Sequence, residues 1–407
     1  MSVRAPARTS AFAPAETSEL GRFKRARRAY GFDEVALVPG RVTINPEEVD
    51  SSFTLGSLRL PVPILAAAMD GVVDVGFGIE MGRLGGMAIL NLDGLQTRYA
   101  DPASILQEIA EAPRERINAL LQKVYQAPIR EPLIAERITA IKRARVPVGV
   151  STVPAQAARR AQLVQEAGAD CLVVQGTVLT ARHISRSYEQ LSFEKLCAQL
   201  SIPVVAGNCV EYETALELMA TGIAAILVGV GPGAACTTRG VLGVGVPQVT
   251  ATSDVAAARE TYLQETGRRV QVITDGGMRV GGDIAKAFAS GADAVMIGSI
   301  FAGTTDAAGG GYHWGMATPD PNLPRGTRIK VGQRGTLREV LLGPARVDDG
   351  TQNLVAAIRA AMGVCGARTI REFQETEMVI APAIQGRAGR GSRNSCSSST
   401  SARNTAS

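Results

Sequence analysis

Short runs of apolar residues recur along the middle of this 407-residue chain and are the main sequence signal of its fold. Within each run nearly every residue is apolar, without a polar residue at every second position. This pattern is typical of strands that are buried on both faces of a parallel sheet. The chain contains eight such runs, at residues 60–69, 87–92, 146–152, 171–177, 202–209, 225–231, 270–275 and 294–300.

Stretches with helical periodicity separate the apolar runs. The predicted helices include 154–167, 212–220, 254–265 and 282–289. Glycines at 168, 222 and 291 close three of them, at the position where a left-handed C-cap is expected. Eight strands alternating with helices predict an α/β fold, and the number of strands and the chain length favour a (β/α)8 TIM barrel. A doubly wound open sheet is the alternative.

Composition divides the chain into a central domain and two tails. We predict a flexible N-terminal extension at 1–20, a barrel domain at 21–385, and a disordered tail at 386–407, which has no large apolar side chain. Residues 302–344 follow the eighth run and are rich in Gly, Pro and Arg. A segment of this length is typical of a mobile flap over a barrel mouth, with a passive surface loop as the alternative.

Charge and composition exclude several classes of protein. The sequence is 45% hydrophobic, and no apolar run approaches the roughly 18 residues of a membrane span, so we expect a soluble protein. The net charge of +5 comes from the ends, because residues 1–28 carry seven Arg or Lys and two Glu, and residues 386–407 carry four Arg. The remainder is mildly acidic at about −4, so no nucleic-acid partner is expected.

The six cysteines lie far apart without CxxC pairs, which favours a reducing cytoplasm. The first 15 residues faintly resemble a transit peptide, but we predict a cytoplasmic location.

The chain has only two histidines, His183 and His313, and it lacks HExxH, a GxGxxG after the first strand and a P-loop motif. A multi-histidine zinc site and a Rossmann half are therefore not indicated.

Polar residues and glycines follow the predicted strands, where the active site of a barrel lies. Asp275-Gly276-Gly277 and Gly298-Ser299 follow the last two strands, where barrels commonly hold a phosphate, and Asp275 could accept hydrogen bonds from ribose hydroxyls. Asn208 ends the fifth strand and could orient a substrate while the adjacent Cys209 packs.

Cys236 differs from the other cysteines because it lies in a Gly/Pro-rich loop directly after a strand, followed by two hydroxyls and Arg239. A nearby cation and oriented backbone amides would lower the pKa of its thiol and favour the nucleophilic thiolate. Cys171, Cys197 and Cys365 are expected to be small packing residues.

These motifs resemble the catalytic loop and ligand-binding turns of the IMP dehydrogenase/GMP reductase family. The similarity covers about residues 20–385. The matching segments are GPGAACTTR at 231–239, GVGVPQ at 243–248, Met69-Asp70, Gly207-Asn208, Asp275-Gly276-Gly277, Gly298-Ser299 and Gly315-Met316, in family order and spacing.

The resemblance implies specific roles for these residues. Cys236 would add to purine C2, with Thr238 and Arg325 assisting hydrolysis, and Gln175 would lie at the NAD site. Backbone carbonyls of Gly231, Gly233 and Cys236 would bind potassium, and the subunits would form a homotetramer or octamer. The implied nucleotide-binding residues are Met69, Asn208, Gly233, Asp275, Gly277, Gly298, Ser299, His313, Gly315, Met316 and Gln333.

The sequence departs from the family pattern at several positions. Gly326 stands where a Tyr that assists hydrolysis is expected, Ala234 replaces a phosphate-binding Ser, and Gln175-Gly176 replace Asp-Ser near the nicotinamide. The regulatory pair of cystathionine-synthase-type modules is absent, and residues 93–145 are predicted to contain only helices.

Three activities are compatible with this pattern. The continuation of the loop through residues 241–247 and the Arg-bearing flap favour IMP dehydrogenase, which oxidises IMP to XMP with NAD in guanine nucleotide biosynthesis. The first alternative is GMP reductase, which converts GMP to IMP with NADPH. The second alternative is a catalytically inactive regulator that binds purine nucleotides.

Overall fold

The structure is a computed structural model that describes residues 17–186, 190–315 and 328–381. Five short strands precede the main sheet: β1 (Thr17–Gly21), β2 (Lys24–Arg27), β3 (Val35–Leu37), β4 (Phe53–Leu55) and β5 (Leu58–Leu60). Two antiparallel hairpins are formed by β1 with β2 and by β4 with β5. The end of the predicted N-terminal extension 1–20 therefore contains regular structure, because residues 17–21 pair with residues 24–27.

Eight parallel strands then close into a barrel, in which each strand pairs with the next and the last pairs with the first. Their bounds are β6 (Ile64–Ala66), β7 (Met87–Asn91), β8 (Gly149–Thr152), β9 (Cys171–Gln175), β10 (Val204–Cys209), β11 (Ala225–Val228), β12 (Gln271–Asp275) and β13 (Ala294–Ile297). The predicted TIM barrel is confirmed. The first predicted strand, 60–69, is too long, because this apolar run includes the last residue of β5 as well as β6.

Helices connect the barrel strands and cover the outside of the barrel. They are α1 (Val75–Arg83), α2 (Pro102–Glu111), α3 (Ile117–Val124), α4 (Glu131–Arg143), α5 (Pro154–Glu166), α6 (Phe193–Gln199), α7 (Tyr212–Ala220), α8 (Thr238–Leu242), α9 (Gln248–Thr266), α10 (Gly281–Ala289), α11 (Ser299–Ala302), α12 (Leu337–Leu342), α13 (Leu354–Cys365) and α14 (Ile370–Phe373). Gly168, Gly222 and Gly291 follow α5, α7 and α10 with positive φ, which confirms the predicted glycine ends.

Two segments differ from the prediction. Helix α9 begins at Gln248 and not at residue 254, since Pro247 occupies its N-cap position and a proline there removes no helical hydrogen bond. The predicted flap 302–344 contains regular structure in its described part, namely β14 (Tyr312–His313) paired with β15 (Ile329–Lys330), and α12. The last strand, β16 (Met378–Ile380), pairs with β3. The predicted tail 386–407 lies outside the described residues.

The barrel has a separate core inside it, because side chains alternate between the two faces of each strand. Outward-facing residues pack against the helices, and inward-facing residues such as Ile89, Val173 and Leu227 are fully buried in the interior. Phe53, Leu55 and Leu60 of the β4–β5 hairpin belong to this interior core. A Cβ on Gly56 at the hairpin turn would lie 3.2 Å from Pro203, just before β10. The hairpin therefore closes the end of the barrel where the strands begin.

None of the helices within the described ranges is long and apolar enough to cross a membrane.

Candidate active site

A cavity of about 420 Å³ opens at the carboxyl ends of the barrel strands. Most of the residues predicted for the site line it: Met69, Gln175, Asn208, Gly231, Gly233, Cys236, Thr238, Asp275, Gly277, Gly298, Ser299, His313 and Gly315. Gln333 does not; it is exposed, in a stretch where the Arg334 N–H donates to the carbonyl of Gly303. Met316 and Arg325 lie outside the described residues.

The Cys236 thiol lies on the rim of this cavity, in the turn between β11 and α8. It is exposed, and its Sγ donates to Oγ1 of buried Thr238 at 3.1 Å. Burial instead raises the pKa of Cys171 to about 12 and that of Cys209 to about 11. Because the thiolate is the reactive form, these buried thiols are poor nucleophiles. Among the cysteines that the structure describes, Cys236 is thus the exposed one and lies at the cavity, whereas Cys209 packs in the core.

Arg239 stabilises the loop that carries Cys236. Its Nε donates to the carbonyl of Val230 at 3.3 Å, and its Nη2 donates to that of Val246 at 2.6 Å. A Cβ on Gly245 would lie 2.5 Å from Nε of Arg239, so the backbone closes tightly around the guanidinium. Arg239 was predicted as a cation beside the thiol. The structure shows its guanidinium joining the two ends of the loop.

Three hydrogen-bonded side chains from different strands form the polar floor of the cavity. Nδ2 of Asn208 donates to Oδ2 of Asp275 at 2.8 Å, and Nε2 of Gln175 donates to the same oxygen at 3.1 Å. Nε2 of Gln175 also donates to Oδ1 of Asn208 at 3.1 Å. Burial raises the pKa of the Asp275 carboxyl to about 6, although the hydrogen bond from Asn208 works in the opposite direction.

Gln248 supports this floor from behind. It is buried at the start of α9, and its Nε2 donates to the carbonyls of Val228 and Asp275 at 2.8 and 2.9 Å. One side chain therefore fixes the ends of β11 and β12 relative to each other.

Glycine turns after β12 and β13 also line the cavity. Gly276 and Gly277 have φ of +79° and +83°, a conformation that L residues rarely adopt. Gly298 allows close approach, since a Cβ there would lie 2.7 Å from Sδ of Met69. Turns of this kind expose backbone N–H groups that bind anions.

His313 is another lining residue of the cavity. It is 1% exposed, and neither ring nitrogen has a hydrogen-bond partner among the described residues. Burial lowers the pKa of His313 to about 4, so the imidazole is neutral at pH 7 and can both donate and accept a hydrogen bond.

The ends of β7 and β8 form a wall of the cavity that the sequence analysis missed. Asn91, Asp93, Ser151 and Thr152 line it. Asp93 accepts from the buried Arg160 at 2.8 Å and from Oγ1 of Thr152 at 3.0 Å. The sequence contained a signal for them, because these residues lie at the end of, or directly after, the second and third apolar runs, as the other candidates do in their runs.

The family model for the IMP dehydrogenase/GMP reductase domain matches residues 29–316. The chain is 38% identical to an uncharacterized oxidoreductase of Mycobacterium leprae over 371 residues, covering 89% of this chain and 99% of that protein. It is 27% identical to the inosine-5'-monophosphate dehydrogenase of Methanocaldococcus jannaschii, covering 88% and 94% of the two chains.

A solved structure shares the architecture as well. The IMP dehydrogenase/GMP reductase-like protein from Corynebacterium glutamicum superposes with a TM-score of 0.84 at 34% identity, over 90% of this chain and 98% of that one. The barrel, its site and these similarities define a barrel oxidoreductase. The chain belongs to the IMP dehydrogenase/GMP reductase family.

Proposed function

We propose that this protein is an IMP dehydrogenase that oxidises IMP to XMP with NAD, as a step in guanine nucleotide synthesis. The observation that carries the proposal is the exposed Cys236 thiol, 3.1 Å from the Thr238 hydroxyl, at the rim of a cavity whose floor holds Asp275. The cavity supplies a nucleophile, a ribose acceptor and an anion-binding turn together. A purine nucleoside monophosphate needs all three.

The nucleotide would be oriented by groups on several strands. Ionised Asp275 accepts from the ribose hydroxyls, and Asn208 holds that carboxylate in place. Backbone N–H groups of Gly277, Gly298 and Ser299 bind the phosphate. His313, Met69, Gly233 and Gly315 line the same cavity, where the base would lie.

The chemistry begins when the Cys236 thiolate forms a bond to purine C2 and a hydride leaves that carbon. NAD, when bound, accepts this hydride and becomes NADH. Water then adds to C2, its proton is lost with the help of Thr238, and the C–S bond breaks to regenerate the thiolate. IMP, NAD and water thus give XMP, NADH and a proton. We expect Arg325, outside the described residues, to orient this water.

The part of the cavity wall next to Gln175 suits a nicotinamide ring. Gly176 and Thr177 follow Gln175 at the end of β9, and Asn91 and Ser151 lie on the adjacent wall. These small polar groups offer both donors and acceptors, which a carboxamide requires. The residues present therefore fit the cofactor, with Gln175 already fixed by its bonds to Asn208 and Asp275.

Potassium would be held by the backbone carbonyls of Gly231, Gly233 and Cys236. The Gly233 oxygen accepts from the Cys236 N–H at 3.0 Å and retains a second lone pair. No group of three His, Cys, Asp or Glu side chains that could hold a metal occurs in the described part of the chain, so carbonyls are the donors at hand.

We also propose a cytoplasmic homotetramer or octamer.

GMP reductase is the second candidate. It uses the same thiolate addition and hydride transfer but requires no attack by water, and Gly326 replaces the Tyr expected for that step. Incubating the protein with IMP and NAD, and separately with GMP and NADPH, while following the absorbance of the reduced cofactor decides between them. NADH formation supports the dehydrogenase and NADPH consumption the reductase. Binding of IMP without either turnover supports an inactive regulator.

A further inference from the structure

The helical segment 93–145 packs against the strand that carries His313. Its apolar side chains form a cluster of their own, and the only tryptophan of the chain, Trp314, is buried inside that cluster. The members are Leu95, Leu106, Ile109, Ile117, Leu121, Val124, Tyr125 and Trp314. Trp314 lies between His313 and Gly315, which both line the cavity.

A chain of buried hydrogen bonds crosses this cluster. Nε1 of Trp314 donates to the hydroxyl of Tyr125 at 2.8 Å, and that hydroxyl donates to Oδ2 of Asp70 at 2.5 Å. The N–H of Leu95 donates to the same carboxylate oxygen at 2.9 Å. All three polar side chains are at most 6% exposed. Buried polar groups are costly to leave unpaired. These hydrogen bonds therefore favour one arrangement of the segments that carry Asp70, Tyr125 and Trp314.

The two residues at the ends of this series of hydrogen bonds, Asp70 and Trp314, are each adjacent in sequence to a residue that lines the cavity. Asp70 follows Met69, and Trp314 follows His313. Close packing reinforces the link, because a Cβ on Gly94 would lie 2.0 Å from Oδ1 of Asp70. The Tyr125 hydroxyl therefore connects two separate parts of the cavity wall.

A second contact fixes the same strand. The guanidinium of Arg328 lies 4.4 Å from the centre of the Tyr312 ring. It donates to the carbonyls of Ala110 and Ala112 at 2.8 Å, at the end of α2. Strand β14 is thus held on the helical segment through both Tyr312 and Trp314.

We propose that Tyr125 is a positioning residue, which acts through Asp70 and Trp314 to set the places of Met69 and His313 at the nucleotide. Residues 95–145, none of which lines the cavity, then influence nucleotide affinity from outside it. This inference rests on the proposed function for its ligand, a purine nucleoside monophosphate, and on the hydrogen-bond chain for its mechanism.

Tyr125→Phe tests it, because this change removes only the hydroxyl. We expect the KM for the nucleotide to rise about tenfold, with kcat within about threefold, since the thiol and its loop are unaffected. Tyr99→Phe is the matched control: its hydroxyl donates to the carbonyl of Val124 at 2.9 Å, beside the same cluster, but belongs to no part of the chain of bonds. The control should retain the wild-type KM.

Fluorescence gives a readout that a general loss of stability would not move. With one tryptophan in the chain, the emission reports Trp314 alone. Tyr125→Phe should shift the emission maximum and increase quenching by acrylamide, whereas Tyr99→Phe should do neither. In a cycle with Trp314→Phe, the two effects on KM should be strongly non-additive.

A KM for Tyr125→Phe within twofold of wild type, or an equal rise in Tyr99→Phe, would overturn the inference. Failure of the proposed function has a different signature, namely a wild type that turns over neither nucleotide pair. In that case, titration of Trp314 fluorescence with IMP and GMP replaces KM. If neither binds, amide hydrogen exchange at residues 309–315 decides, and equal exchange in the two variants refutes the positioning role.

Discussion

Replacing Asp275 with Asn should stabilise the unliganded protein at neutral pH while weakening nucleotide binding. The carboxyl is enclosed at the cavity floor, where burial penalises its charged form and raises its pKa from the ordinary 3.8 to about 6. The folded protein therefore binds this proton more tightly than the unfolded chain does. The contribution of Asp275 to stability falls as the pH rises from 3.8 to about 6, and it stays low above that range.

The size of the effect follows from the shift. A rise of roughly two pKa units, at about 1.4 kcal/mol per unit, corresponds to about 3 kcal/mol of stability lost on ionisation. Asparagine carries no charge at any of these pH values, so Asp275→Asn avoids the loss. Relative to wild type, the variant should gain up to about 3 kcal/mol between about pH 4 and pH 7.

Urea denaturation of both proteins across this pH range measures the difference in free energy of unfolding, and titration with IMP measures the cost to binding. Asp74→Asn is the control, because Asp74 caps α1 outside the cavity lining and its pKa is also raised by burial. Its stability difference from wild type should change with pH in the same direction, with unchanged IMP affinity. A stability difference between Asp275→Asn and wild type that does not change with pH would refute the reasoning.

Three further outcomes are expected. Cys236→Ala should abolish turnover yet keep nucleotide binding within roughly tenfold, because ribose and phosphate contacts come from other strands; turnover by the purified variant would remove Cys236 from the mechanism. Potassium should activate the enzyme more than sodium, since carbonyls in the loop suit a large, weakly hydrated cation, and equal rates at matched ionic strength would contradict that site. Arg325→Gln should slow hydrolysis more than hydride transfer, giving a burst of NADH near enzyme stoichiometry followed by a slow phase in rapid mixing. Equal slowing of both phases would restrict Arg325 to substrate positioning.

The fold was predictable from the sequence because a barrel strand is buried on both faces and so lacks polar alternation. All eight apolar runs became barrel strands, and Tyr212–Ala220 was predicted to the residue. The errors lie where apolar composition continues across an element boundary, as from β5 into β6. They also lie where a helix starts in a polar stretch, as α9 does at Gln248.

The candidate site residues that could be predicted are those with a recognisable motif in the neighbouring sequence. Cys236 is marked by its glycine-rich turn, and Asp275 by the glycines after it. The side chains on which they depend are distant in sequence: Tyr125 and Trp314 lie 189 positions apart, and Gln175 and Asp275 lie 100 apart. Such partners are found only when the strands are closed into a barrel, so the network around each marked residue was beyond reach of pattern reasoning.

The β4–β5 hairpin has a kinetic consequence. By filling the barrel where the strands begin, it leaves the carboxyl ends as the route by which ligands reach Asp275 and Asn208. Ligands of this cavity therefore share the mouth at the carboxyl ends of the strands, and a ligand seated on the floor leaves only after whatever covers it has moved away.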